Sequence, residues 1–219
     1  MTATAREEIL ARIRRALADV PKDEPAGMAR GYLHEHGTRT AAETVDLLAE
    51  NLADYRAQVH RGSEAELPAM IARLLTERGS TSVAIPEALP EAWLSELLPT
   101  VTLVPDSPEL TPQRLDEVQS VISACALAIA ETGTIVLDGG PGQGRRLLTL
   151  VPDHHICVVR VPDQVVTSVP RAFEHGRLSP VRPQTWIAGP SATSDIELDR
   201  VEGVHGPRKL DVILITAAA

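Results

Sequence analysis

The chain has 219 residues, enough for one domain of fair size with an appendage, and its hydrophobic content of 43% includes only 2% aromatics, so its core must be built from Leu, Val, Ile and Ala. A net charge of -9 argues against general nucleic-acid binding and against an anionic membrane surface. No apolar run approaches the roughly 20 residues that span a bilayer, and MTATAREEILARIRRALADV lacks the uninterrupted apolar stretch of a signal peptide, so a cytoplasmic location is expected.

In chain order, Thr4 and Glu7 form a capping box, and Ile9, Ile13 and Leu17 recur at helical spacing as far as Pro21. Residues 21–39 are rich in Pro, Gly, His and charge and read as a linker arm, which sets an expected boundary between 1–39 and a domain over 40–219. A second capping box, Thr40 with Glu43, opens a helix whose stripe Val45, Leu48, Leu52, Tyr55 and Val59 lies on one face. Ser63 and Glu66 start a third helix that runs to about Arg78, with Gly79 as its terminator. TSVAI (81–85) reads as a strand, EAWLSELL (91–98) as a helix, VTLVP (101–105) as a strand and TPQRLDEVQS as a helix or irregular segment. ALAIAETGTIVLDGG reads as two strand-like pieces about a Thr-Gly-Thr turn, followed by strands in RLLTLVP and HHICVVRVP. A helix over about 162–173, a strand at 185–189 and a last strand at 210–215 complete the pattern. Alternating helices and two-sided apolar strands imply an α/β protein with a largely parallel, covered sheet, and the consecutive strands between Ala126 and Arg160 imply some antiparallel pairs.

Ligands in open α/β sheets sit beyond the carboxyl ends of strands, which directs attention to three stretches. In the first, Thr132, Gly133 and Thr134 offer hydroxyls and a flexible backbone, and Glu131 is a carboxylate suited to act as base, nucleophile or ligand; the alternative is a simple turn with Glu131 solvated. In the second, the glycines of 139–144 match neither a P-loop nor a dinucleotide fingerprint. Arg145 and Arg146 suit a planar anion there, while His154 and His155, adjacent on a strand, point to opposite faces and do not ligate one metal. In the third, Gly189, Pro190, Ser191, Ala192 and Thr193 lead towards Ser194, Asp195 and Glu197, whose S-x-x-E form predicts a short helix with an anion-ready start, ended by Gly203. Arg200, His205 and Arg208 add cations and a proton carrier. The alternative there is a loop satisfying its own backbone. Cys125 and Cys157 lie in apolar surroundings without the spacing of a metal or cluster site, so reduced buried thiols are expected.

Together AETGT, LTLVPDHHICVV and WIAGPSATSDIELDRVEGVHGPRKLDVILI resemble the LUD-domain family, also called the lactate utilization protein C family. The resemblance is dense over roughly the last hundred residues and looser over the N-terminal helices; before AETGT the chain reads VISACALAIAE where the family pattern has a glycine. It implies a three-layer α/β/α fold like the NagB/RpiA/CoA-transferase group, with an N-terminal helical extension. It also implies a bacterial role beside two iron–sulfur proteins in oxidising L-lactate to pyruvate. The clusters would belong to the partner subunits, and this chain would bind no cofactor of its own. The family's signature positions fall on Glu131 to Thr134, Gly189 to Glu197 and Gly203 to Pro207.

The leading expectation is a cluster-free subunit that binds a small carboxylate or phosphate-containing ligand. In it Arg200 or Arg208 holds the anion, Gly189, Ser191, Thr193, Ser194 and Asp195 cradle it, and His205 moves a proton. Two alternatives stand beside it: a CoA-transferase-like enzyme with Glu131 as nucleophile, and a non-catalytic assembly factor that binds through its N-terminal helices.

Overall fold

Thr4 caps the first helix with the reciprocal hydrogen bonds its sequence predicts: its hydroxyl accepts from the Glu7 N–H, and its own N–H donates to the Glu7 carboxylate at 2.7 Å. The computed structural model describes residues 4–20, 31, 33–179, 181–193, 201–202 and 206–216. The chain divides into two compact units, 1–33 and 34–219. In the first, helix α1 (Ala5–Ala16) buries no side chain, and Ile9, Ile13 and Leu17 are exposed.

In the second unit, helix α2 (Ala41–Asp54) opens on the predicted Thr40–Glu43 box and buries Val45, Leu48 and Leu52. The expected stripe breaks after Leu52. Tyr55 is exposed, and Val59 belongs to strand β1 (Gln58–Ser63). The helix stops because Ala57 N–H bonds Leu52 O and Arg56 N–H bonds Ala53 O, a Schellman closure with Arg56 at φ +66°. That left-handed position normally calls for glycine, so no sequence signal marks it. Helix α3 (Leu67–Glu77) ends at Gly79, φ +63°, as expected.

Strands β2 (Ser82–Ile85), β3 (Thr102–Pro105), β4 (Ser120–Ala124), β7 (His154–Val161) and β12 (Lys209–Thr216) join β1 in a six-stranded sheet. Its order is β1-β12-β7-β4-β2-β3, and every pairing is parallel. The α/β expectation therefore holds, and the antiparallel pairs lie outside this main sheet. A second sheet has four strands in the order β8-β5-β6-β9: β5 (Leu127–Ile129), β6 (Thr134–Leu137), β8 (Val165–Val166) and β9 (Thr185–Ile187). Strand β10 (Ala192–Thr193) pairs antiparallel with β11 (Val201–Glu202).

One face of the main sheet packs Ile122, Ile156, Val158, Ile213 and Ile215 against α3. The other packs Cys157, Val159, Val212 and Leu214 against α2 and the inner face of the second sheet, including Ile135 and Leu137. Helix α4 (Pro112–Asp116) extends this layer through Leu115, and α5 (Val169–Glu174) covers the outer face of the second sheet through Ala172. Burial of this kind, about 25 cal/mol per Å² of apolar surface, is what an aromatic-poor chain has available.

Four further expectations change. EAWLSELL forms only a 3-10 turn at Glu91–Leu94. RLLTLVP is a 3-10 turn at Arg146–Thr149 and not a strand, closed by Leu148 N–H on Arg145 O and Leu150 N–H on Leu147 O. The helix expected over 162–173 shortens to α5, since Gln164 O accepts from Ala128 N–H and its side chain donates to Cys125 O, which turns the chain back as β8. Val201 and Glu202 are a strand where the last turn of a helix ending at Gly203 was expected; the start of that helix, at Ser194, lies outside the described residues.

Candidate functional site

The chain passes from β2 outward to β3 and then back across β2 to β4, so connections leave β2 and β4 in opposite directions. Such a switch point opens a crevice at the carboxyl ends of the strands. The segment after β6 enters it: Gly142 N–H bonds Glu87 O, and Gly142 O accepts from Ala124 N–H at 2.8 Å. A cavity of about 710 Å³ remains, lined by Glu87, Asp106, Asp138, Arg145, Arg146 and Arg182 among others.

Its charges are mostly spoken for. Arg145 grips Asp106 at 2.8 Å through Nε and bonds the carbonyls of Ser107 and Leu110. Asp138 accepts from the N–H groups of Gly140 and Ser179 and faces Arg182 at 3.7 Å. Arg146 differs: among the described residues its exposed guanidinium has no ion pair or hydrogen bond. A lone cation in a cavity wall with planar, forked donors is suited to a carboxylate.

A second cavity, about 360 Å³, shares Arg146, Thr149 and Thr185 with the first. Its wall includes His155, Trp186, Gly189, Ser191, Gly206 and Pro207. The two glycine-bearing motifs meet here because Ser191 N–H bonds Pro207 O at 2.8 Å. They meet at the amino end of β12, opposite to the carboxyl-end placement expected from the fold class. His155 is 1% exposed, and its Nε2 lies 2.7 Å from Ser123 Oγ. Burial, and secondarily the neighbouring His154, lower its pKa to about 3, so the ring is neutral.

The predicted site residues separate into groups. Gly189 and Ser191 line the second cavity. Thr193 lies in β10, while Ser194, Asp195, Arg200 and His205 lie outside the described residues. Arg208 pairs with Asp153 and lines a different cavity, beside Arg78, Ser80 and His154. Glu131, Thr132, Gly133 and Thr134 line neither of these cavities. The Glu131 carboxylate accepts from His36 N–H at 3.1 Å, lies 2.9 Å from His36 Nδ1, and faces Arg39 at 3.8 Å. Thr132 donates to Thr134, and Gly133 presses on the backbone of Asn51. This turn anchors α2 and the segment before it.

Adjacent on β7, His154 and His155 do point to opposite faces. His154 belongs to a buried chain: Ser80, Ser120, His154 Nδ1, then His154 Nε2 to Asp211 at 2.8 Å, with His60 and Arg78 on the same carboxylate. Nothing in the sequence joins these residues, which parallel strand pairing brings together. Cys125 and Cys157 are buried free thiols, and the Cys157 side chain and burial both raise the Cys125 pKa. Among the described residues no three His, Cys, Asp or Glu side chains cluster as metal ligands, and none of the helices is long and apolar enough to cross a membrane.

The LUD domain model matches residues 45–215. A curated protein of Deinococcus radiodurans, "Lactate utilization protein C", is 42% identical, over 98% of this chain and 97% of its own length. A second of that name, from Exiguobacterium, is 29% identical over 98% of this chain and 97% of its own. The crystal structure of a DUF162 family protein from Deinococcus radiodurans superposes with a TM-score of 0.68 at 38% identity, covering 81% of this chain and 99% of that one. A match spanning both cores and both cavity walls leaves one assignment: the chain belongs to the LUD domain family.

Proposed function

We propose that this chain acts in lactate utilization, as the cluster-free subunit of an iron–sulfur system that oxidises L-lactate to pyruvate, and that it binds a small carboxylate at Arg146, which both cavities share. The pathway reading rests on near-full-length similarity to a protein named for lactate utilization, 42% identical. The ligand reading rests on Arg146, the cation without a partner among the described residues that lines both cavities. The electron acceptor belongs to the partners, since two buried thiols fall short of the four ligands a cluster usually takes.

The test is growth on L-lactate of a bacterium whose own homologue has been deleted and whose iron–sulfur partners remain. Plasmid-borne wild type should restore growth, and R146A should restore it poorly while accumulating to the same level. Failure of the wild type to restore growth, with the chain present and folded, would overturn the pathway reading. Full restoration by R146A would overturn the assignment of the anion to Arg146.

A further inference from the structure

Helix α1 carries an apolar seam with nothing on it. It buries no side chain, and Ile9, Ile13, Leu17 and Val20, spaced by three or four residues along one face, are between 48% and 58% exposed. A helix of 12 residues is marginal in water even with a capping box, so the seam calls for a cover. The charges beside it say which cover fits. At 3.6 residues per turn, Glu7 and Arg14 flank the seam on one side, and Glu8, Arg12 and Arg15 flank it on the other. On both sides the acids stand in the first turn and the bases in the second half, so the helix is complementary to a reversed copy of itself. A parallel copy would set acid beside acid and base beside base.

We propose that α1 is a self-association element, its seam covered by α1 of a second copy of this chain running antiparallel. Centred near the middle of the helix, this arrangement brings Ile9 beside Ile13 of the second copy, Glu7 beside its Arg14, and Glu8 beside its Arg12 and Arg15. Every contact occurs twice, because a two-fold pairing uses the same patch on both copies. The helix dipoles oppose one another, and Arg6, which closes the seam at its amino end, meets the carboxyl end of the second helix, where a cation is favoured. Within one copy Glu8 and Arg12 already meet at 3.5 Å, but both are largely exposed, so that contact contributes little and leaves them open to a second copy. Two helices of this length offer less than the roughly 1,200–2,000 Å² that stable complexes bury, so the dimer is weak and concentration-dependent.

The test is sedimentation equilibrium of the full chain from micromolar to millimolar concentration. Wild type should form a reversible dimer, and I13D, which places a carboxylate in the seam, should weaken it by about tenfold or more. E8R and R12E should each weaken it too, since each sets like charges across the seam. Mixed in equal amounts, these two variants should dimerise together as tightly as wild type, because the arginines of one chain meet the glutamates of the other. That rescue cannot come from repair of either helix alone, since both variants lack the Glu8–Arg12 pair within the chain. Under a mild oxidant L10C, close to the two-fold axis, should link two chains by a disulfide, and R6C should not. A wild type that stays monomeric throughout would overturn the proposal, as would a dimer that I13D leaves intact or a mixture that shows no rescue. Linkage of R6C as readily as L10C would overturn the antiparallel arrangement.

Discussion

Gly189 lies against the end of α2 so closely that a Cβ on it would sit 2.3 Å from the carbonyl oxygen of Tyr55. Gly133 does the same one turn earlier, where a Cβ would lie 2.7 Å from the carbonyl carbon of Asn51. Both glycines have positive φ, +79° and +56°. Two loops from distant parts of the chain therefore clamp one helix end by backbone contact, and only glycine allows it.

G133A and G189A should each destabilise the protein by at least about 2 kcal/mol, combining a left-handed alanine with overlap against backbone that cannot rotate away. Urea unfolding checks this, and the midpoint should fall while the slope stays constant. Stability within a few tenths of a kcal/mol of wild type would show that the clamp yields easily.

Asp211 should be the most damaging single carboxylate to remove. It is fully buried and shared by His60 at 2.6 Å, His154 at 2.8 Å and Arg78 at 3.2 Å. Burial alone pushes its pKa up, but the hydrogen bonds from His154, His60 and Arg78 outweigh it and hold the carboxyl well below its ordinary 3.8. D211N leaves Arg78 uncompensated and the two imidazoles without their carboxylate, and should cost about 3–5 kcal/mol. The depressed pKa means that the stabilisation is present above the unfolded value and lost as pH falls through the folded one. Wild type should therefore lose stability steeply below about pH 4, and D211N should lack that component in acid titrations followed by circular dichroism.

His155 sets a different window. Its folded pKa of about 3 lies below the ordinary 6.5, so between those values the unfolded chain binds a proton that the folded one refuses. Stability from this group is complete above 6.5 and declines as pH falls towards 3, by up to about 1.4 kcal/mol per pH unit. H155Q should flatten the profile between pH 6 and 4 while keeping the steeper acid loss that belongs to Asp211. An unchanged profile in H155Q would show that the ring takes up its proton in the folded state.

Cys125 and Cys157 should be unreactive in the native protein, because both are buried and the Cys125 thiol is held protonated. Iodoacetamide at mildly alkaline pH should label neither until urea is added, after which mass spectrometry should find both modified. Rapid native labelling would place these thiols in reach of solvent.

The elements read correctly were those with local causes. The Thr4 and Thr40 capping boxes and the Gly79 terminator are hydrogen bonds and dihedral preferences within a few residues, so the residues themselves announce them. The end of α2 was invisible, because Arg56 holds a position that glycine normally marks. RLLTLVP shows the converse: its apolar content suits a strand, but the chain there closes a 3-10 turn that buries Leu148 and Thr149. Of the candidate site, Arg146 and His155 were visible as residue types suited to anions and to a cleft, but nothing local ranked them above Arg208, which the structure pairs with Asp153.

What the sequence by itself determined was the α/β class, the covered parallel strands, the separation of His154 from His155 and the family motifs, all of which follow from periodicity or local chemistry. What only the tertiary structure decided was which residues face one another. His154 and Asp211 are 57 residues apart and meet at 2.8 Å because β7 and β12 pair in one register. Ser123 and His155 meet in the same way across β4 and β7. In a strand, side chains alternate with a period of two, so a shift of one residue would exchange the two faces and scatter both groups. That register is chosen by the whole core packing at once, and no local stretch of sequence contains it.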